Sequence, residues 1–359
     1  MKKISAILLL LLAAAMVFAG GGAQKGGSSG AAAPAAATTT TNTTTTQGPL
    51  LAFICKDLSQ EWFVGTSTAM KDTATKRGAR DVLLFDCSMN PDKYMTALDT
   101  AISRKVDVLI VCPPDQKLSQ ITVQRCSAAG IKVMADDDGL IDEKGVHIAP
   151  ALELDAYKVG QGIGDYLGKY YNDNKMQANY ATTAFMLMYM PEVSSCVPRS
   201  EGARDNFLAA VPAFEKSKII QADYDGTSEK GFNVAAATIT ANPQITTWII
   251  MAPNDEGAQG ATRALEQANK DKNAIVAGVG GYLAKDEFKK DYSAFKATAY
   301  IDPVLDGTIA ATAAMDWIQK GTVPYSDYKK AGADFGVYPF SATMVDRTNY
   351  QQIMGAAAN

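Results

Sequence analysis

Short apolar runs alternate with longer amphipathic ones along this chain, and the alternation occurs twice. Leu50–Cys55, Val82–Phe85, Val106–Cys112 and Ile131–Ala135 read as strands, separated by helix-period stretches at 62–77, 94–102 and 118–129. Strand starts lie about 25 to 30 residues apart, the length of a βαβ unit. A helix over 156–171 opens a second series, with strands at 181–188, 219–222, 247–251 and 274–279 and helices at 202–210, 231–240 and 256–268. Continuous apolar strands between helices imply parallel sheets covered on both faces. The expected fold is α/β, with two doubly wound parallel-sheet lobes. Segments 297–301 and 304–319 complete or bridge them.

The first 48 residues stand outside this pattern. Lys2 and Lys3, the apolar run Ile7–Ala15, and Val17 and Ala19 form the three parts of a secretory leader, with cleavage expected near Ala19. Residues 20–48 are mostly Gly, Ala, Ser and Thr, too poor in large apolar side chains to offset ordering entropy, and read as a linker. No Cys near the cut offers a lipid-anchor site. The remaining roughly 310 residues suit two cores better than one. Net charge is −4, or −6 once Lys2 and Lys3 are removed, and no dense basic cluster is present, which disfavours nucleic acid as a partner. His147 is the only histidine, so His-based triads and multi-His metal sites are excluded. The five cysteines, at 55, 87, 112, 126 and 196, match no metal spacing and read as buried thiols. No cofactor and no metal are expected.

In doubly wound sheets, ligands bind beyond the carboxyl ends of the strands. After the first strand come Lys56, Gln60, Trp62 and Phe63. The two rings can stack on the C–H face of a sugar while Lys56 and Gln60 meet hydroxyls; equally, the rings can begin a helix and pack inward. After the fourth strand come Asp136, Asp137 and Asp138, which can accept hydroxyl hydrogens, ligate a divalent cation, or form a solvated turn. After the strand ending at Met251 come Asn254 and Asp255, read as a site amide and a helix cap respectively. Arg199, near a helix start, can grip a ring oxygen and a hydroxyl together. No nucleophile, base or phosphate loop accompanies these groups, which disfavours an enzyme. The leader stands where a sugar-responsive repressor would carry its DNA-binding domain.

With these residues in view, the chain resembles the periplasmic sugar-binding proteins of the L-arabinose-binding type. The resemblance runs through Phe53–Lys56 with Glu61–Phe63, Val111–Leu118, Lys132–Ala135 leading into Asp137 and Asp138, Trp248–Ile250, Asn254–Asp255 and Gly278–Gly280. It implies two lobes joined by a three-strand hinge, with a monosaccharide enclosed between them and handed to an ABC transporter permease. A chemoreceptor is a further candidate partner, the alternative function being a receptor for chemotaxis or signalling with a non-arabinose ligand. A periplasmic location and a monomer are expected. The implied lobes are 49–152 with 302–337, and 153–301 with 338–359. The implied ligand contacts are Lys56, Gln60, Trp62, Phe63, Cys112, Asp137, Asp138, Leu154, Arg199, Asn254 and Tyr282. Gln60 stands where the arabinose-binding type has an acid, Leu154 and Pro253 where it has methionines, Tyr282 where it has a polar Asn or Asp, and Lys285 where it has an acid. These departures predict a specificity moved away from L-arabinose, with Lys285 adding positive charge if it reaches the cleft.

Overall fold

The computed structural model describes residues 48–193 and 195–359. The expected leader, and the linker apart from Gly48, lie outside them. In chain order the first sheet begins with β1 (Leu50–Cys55), α1 (Glu61–Lys76), β2 (Asp81–Asp86), α2 (Pro91–Ser103), β3 (Val108–Val111), α3 (Ser119–Ala128), β4 (Lys132–Asp137) and β5 (Ala151–Leu154). The second contains β6 (Thr183–Tyr189), β7 (Ile219–Asp223), β8 (Thr247–Met251), β9 (Ala274–Gly280) and β10 (Phe295–Tyr300). Its helices are α4 (Ala156–Asp173), α5 (Cys196–Ala210), α6 (Ser228–Ala241), α7 (Asp255–Gln267) and α8 (Ala284–Lys289). Then come α9 (Pro303–Lys320), β11 (Val337–Phe340), β12 (Thr343–Asp346) and α10 (Tyr350–Met354).

The strand orders are β11-β5-β4-β3-β1-β2 and β12-β10-β9-β8-β6-β7. Every pairing in the first sheet is parallel. In the second, only β12 runs antiparallel, against β10. The chain crosses between sheets three times, after β5, after β10 and between β11 and β12. These are two doubly wound α/β lobes joined by three crossings. The expected lobe limits at 152/153 and 337/338 fall inside β5 and β11, both of which stay in the first sheet to Leu154 and Phe340.

Central strands such as β1, β3, β6 and β8 are buried at every position, as a sheet covered on both faces requires. Helix starts are chemically marked. Asn90 caps α2 with Pro91 following, and Asp302 caps α9 with Pro303 following. Packing between α4 and α5 matters for the site. A Cβ on Gly160 would lie 2.0 Å from the Arg199 carbonyl oxygen, and one on Gly202 would lie 2.2 Å from that of Tyr157. Only glycine at both positions lets the helices meet closely enough to fix Arg199. All five cysteines are free and buried. Among the described residues, no helix is long and apolar enough to cross a membrane.

Candidate functional site

A cavity with about 530 Å³ of empty space, part of it open to solvent, lies between the lobes. It is lined from the carboxyl ends of both sheets. The first lobe supplies Lys56, Gln60, Trp62, Phe63, Met89 and Asp137; the second supplies Met190, Val193, Ser195, Cys196, Arg199, Asn254, Val279, Gly280 and Tyr282; Ile301 comes from a crossing.

The floor is a charge network. The Lys56 ammonium pairs with Asp138 and lies 3.6 Å from Asp137 Oδ2. Burial works against its charge, but the surrounding negative groups, Asp137 among them, hold its pKa above the ordinary lysine value. Arg199 reaches from the other lobe. Its Nη1 donates to the Pro253 carbonyl at 3.1 Å, and its Nη2 lies 3.6 Å from Asp137 Oδ1. Asp137 thus sits between cations of both lobes, with a left-handed φ of 64° that non-glycine residues seldom adopt. Cys112 lies just behind, its Sγ 3.7 Å from Asp137 Oδ2, and burial pushes its thiol pKa well up. Cys112, Asp137 and Asp138 could in principle gather a cation. The Lys56 ammonium already pairs with both carboxylates, however, so the acids read as partners of lysine.

The remaining expected contacts separate into three cases. Gln60 holds the extended N-cap position of α1 without a side-chain capping bond and lines the cavity. Trp62 and Phe63 pack edge to face at 4.9 Å; both are buried members of the core and both line the cavity, so the two readings of these rings hold together. The Trp62 indole N–H is buried without a partner. Asn254 also lines the cavity, but its Oδ1 accepts from Gly257 N–H and the Tyr224 hydroxyl, and its Nδ2 donates to Gly226 O. It is the cap of α7 as well as a wall residue, and Asp255, the expected cap, is not the cap. Asp255 is buried inside the first turn, accepting from the N–H groups of Gly281, Leu283 and Ala284 and from Thr298 Oγ1. Tyr282 presents its ring to the cavity and donates its hydroxyl to Glu256 at 2.8 and 3.0 Å.

Three expected contacts lie off the cavity wall. Asp138 and Cys112 are behind Lys56 and Asp137. Leu154 is a core residue at the end of β5, paired in register with Phe340, and its side chain is absorbed by packing. Asp136 is no solvated turn either: it is fully buried, within the last residues of β4. Lys285 pairs with Glu61 across the rim at 3.1 Å and is not a wall residue, so it adds no unbalanced charge. Sequence reasoning missed Met89, Met190, Val193, Ser195, Cys196, Val279, Gly280 and Ile301. They follow or end β2, β6, β9 and β10, so the strand-end rule reaches them, but apart from the Ser195 hydroxyl their side chains carry little polar signal.

Two lobes meeting over a buried charge floor and an aromatic wall define a two-lobed ligand-binding protein. Residues 51–322 match the periplasmic binding protein domain, and the chain belongs to that family. It is 26% identical over 289 residues to the ABC transporter L-arabinose-binding periplasmic protein of Azospirillum brasilense, covering 79% of this chain and 84% of that protein. It is 28% identical over 232 residues to the ribose import binding protein RbsB of Escherichia coli (strain K12), covering 64% and 72%. A periplasmic solute-binding protein of Actinobacillus succinogenes 130z, solved with bound D-allose, shares the fold with a TM-score of 0.70 and 23% identity, over 85% of this chain and 99% of that one. Like these relatives, the chain is a periplasmic binding protein and not an enzyme.

Proposed function

We propose that this chain is the substrate-binding component of a sugar ABC transporter, enclosing one monosaccharide between its lobes and delivering it to the membrane permease. The observation that carries this reading is the Lys56–Asp137–Arg199 array, which spans both lobes beside the Trp62 and Phe63 rings. Such an array pairs donors and acceptors as hydroxyls require, while the rings receive C–H faces. The two cations are matched by Asp137 and Asp138, which favours a neutral ligand over an anionic one. The protein acts as a monomer, exported after cleavage near Ala19. A chemoreceptor would read the same closed lobes.

Purified protein should be screened by thermal shift and calorimetry against pentoses, hexoses, sugar acids and purine nucleosides. A ligand at 100 times its dissociation constant adds about 2.7 kcal/mol of stability. Asp137→Ala should then weaken binding at least tenfold, about 1.4 kcal/mol. Failure of every neutral sugar to bind, or wild-type affinity in Asp137→Ala, overturns the proposal.

A further inference from the structure

The polar groups of the cleft are largely committed to one another. Lys56 is paired with Asp138, Arg199 with the Pro253 carbonyl, and Tyr282 with Glu256. The Asn254 amide has one N–H left after its three bonds. Two buried donors lack partners, Arg199 Nε and Trp62 Nε1, and both belong to residues of the charged and aromatic side of the cavity. Free hydrogen-bonding capacity therefore lies around Asp137, Arg199 and Trp62, with the Gln60 amide and the one remaining Asn254 N–H added to it.

The opposite character appears where the chain leaves β6. Met190, Val193 and Cys196 belong to one buried cluster of the second lobe, and Met89 reaches from the first lobe to pack against that cluster. All four line the cavity. Met89 is fixed in place: its φ is 56°, and its N–H donates to Lys56 O at 2.7 Å. The Met190 methyl lies at the border of the polar site. A Cβ on Gly226 would sit 2.4 Å from Met190 Cε and 3.7 Å from Asn254 Nδ2, so the thioether and the amide are neighbours. Thioether side chains adapt closely to small apolar groups. A hydroxyl buried against them would lose water and gain no partner.

On the reading that the ligand is a sugar, we propose that it is a sugar with an apolar substituent, a terminal C-methyl or S-methyl group. Its hydroxyls face Asp137 and Arg199, and its methyl group fills the corner made by Met89, Met190, Val193 and Cys196. The four side chains of the corner offer no acceptor or donor beyond a buried thiol; the neighbouring polar groups are Ser195, whose hydroxyl accepts from Arg199 Nη2 at 3.5 Å, and the Asn254 amide, and both lie on the Arg199 and Gly226 sides of it. Met89 and Met190 close on the substituent from opposite lobes, so the methyl group is sensed only when the lobes come together.

Matched pairs test this by calorimetry: D-ribose with 5-deoxy-D-ribose and 5-methylthio-D-ribose, L-galactose with L-fucose, and L-mannose with L-rhamnose. In at least one pair the methyl-bearing sugar should bind ten- to a hundredfold tighter than its hydroxylated parent, the range an apolar pocket achieves for such a difference. Met190→Gln should shrink that ratio at least tenfold, mainly by weakening the methyl-bearing sugar. Met89→Gln, in a loop, provides the same readout if the first variant fails to fold. Parent sugars that bind as tightly as, or tighter than, their methyl-bearing partners overturn this inference alone. Absence of binding by every sugar in the set, and in the broader screen, overturns the sugar reading as well.

Discussion

Replacing Glu256 by Gln isolates one titrating group at the cleft. Glu256 lies in the first turn of α7 and accepts the Tyr282 hydroxyl. Burial, with smaller contributions from Asp255 and Asp57, pushes its pKa up from 4.5 to about 7, against the opposing effect of the Tyr282 hydrogen bond. Between these values the folded protein holds more protons than the unfolded chain. Stability from this group is therefore fully present below pH 4.5 and lost as pH rises through about 7. At about 1.36 kcal/mol per pH unit, the difference between 4.5 and about 7 amounts to roughly 3 kcal/mol. Glutamine keeps an acceptor for Tyr282 and removes the titration. Urea unfolding followed by tryptophan fluorescence should be run on both proteins from about pH 4.5 to 8. Groups shared by the two cancel in the comparison. The stability of Glu256→Gln relative to wild type should improve by about 3 kcal/mol across that range. Parallel pH profiles would refute the reasoning, because Glu256 would then titrate as a solvated carboxyl.

Leu154→Ala should cost 2–5 kcal/mol of stability, the usual range for a buried leucine, while leaving ligand affinity within about threefold of wild type; a large affinity loss without destabilisation would return Leu154 to the site. Asp136 and Asp306 are buried, and burial together with nearby negative charge raises the pKa of both. With folded pKa values raised, their contribution is present at acidic pH and lost as pH rises, so Asp306→Asn should flatten the decline in melting temperature as pH rises from acidic values through about 8.

The repeating strand–helix rhythm revealed both lobes because apolar continuity is what a doubly covered sheet demands. Elements that are short or chemically mixed were harder to see. β11 contains Pro339 and pairs at a sheet edge, where proline is tolerated, so its sequence does not read as a strand. α5 begins at Cys196 rather than near Gly202, because Pro198 lies in the first turn, where its missing N–H removes no helical bond. The site was legible where residues combine polarity with strand-end placement, as at Lys56, Asp137 and Arg199. It was not legible where one residue type serves two structural purposes. Asn254 looked like a free amide, but the amide is bound into the α7 cap and the Gly226 loop. Asp138 looked like a ligand contact, but buried Lys56 requires a near counter-charge, and Asp138 supplies it. Met89 and Met190 gave no signal because methionine after a strand is ordinary core composition until the partner lobe is in place.

The geometry of the cross-lobe pairs indicates how a ligand would govern closure. Glu61–Lys285 joins the lobes at the rim at 3.1 Å, but the Glu61 side chain is 56% exposed. Screening keeps such a pair to about 1 kcal/mol or less, too little to hold the lobes together alone. Asp137–Arg199 joins them at the floor, where both side chains are at most 10% exposed and electrostatic interactions are stronger. Its separation is 3.6 Å, beyond the 2.7–2.9 Å of a charge-assisted hydrogen bond. A hydroxyl placed beside the pair can donate to Asp137 and accept from Arg199, completing two charge-assisted bonds where there is one loose ion pair. The strongest contact between the lobes is then one that the ligand completes. Closure coupled to occupancy in this way gives a transporter a surface it can distinguish from the empty receptor, and requires no moving part beyond the three crossings.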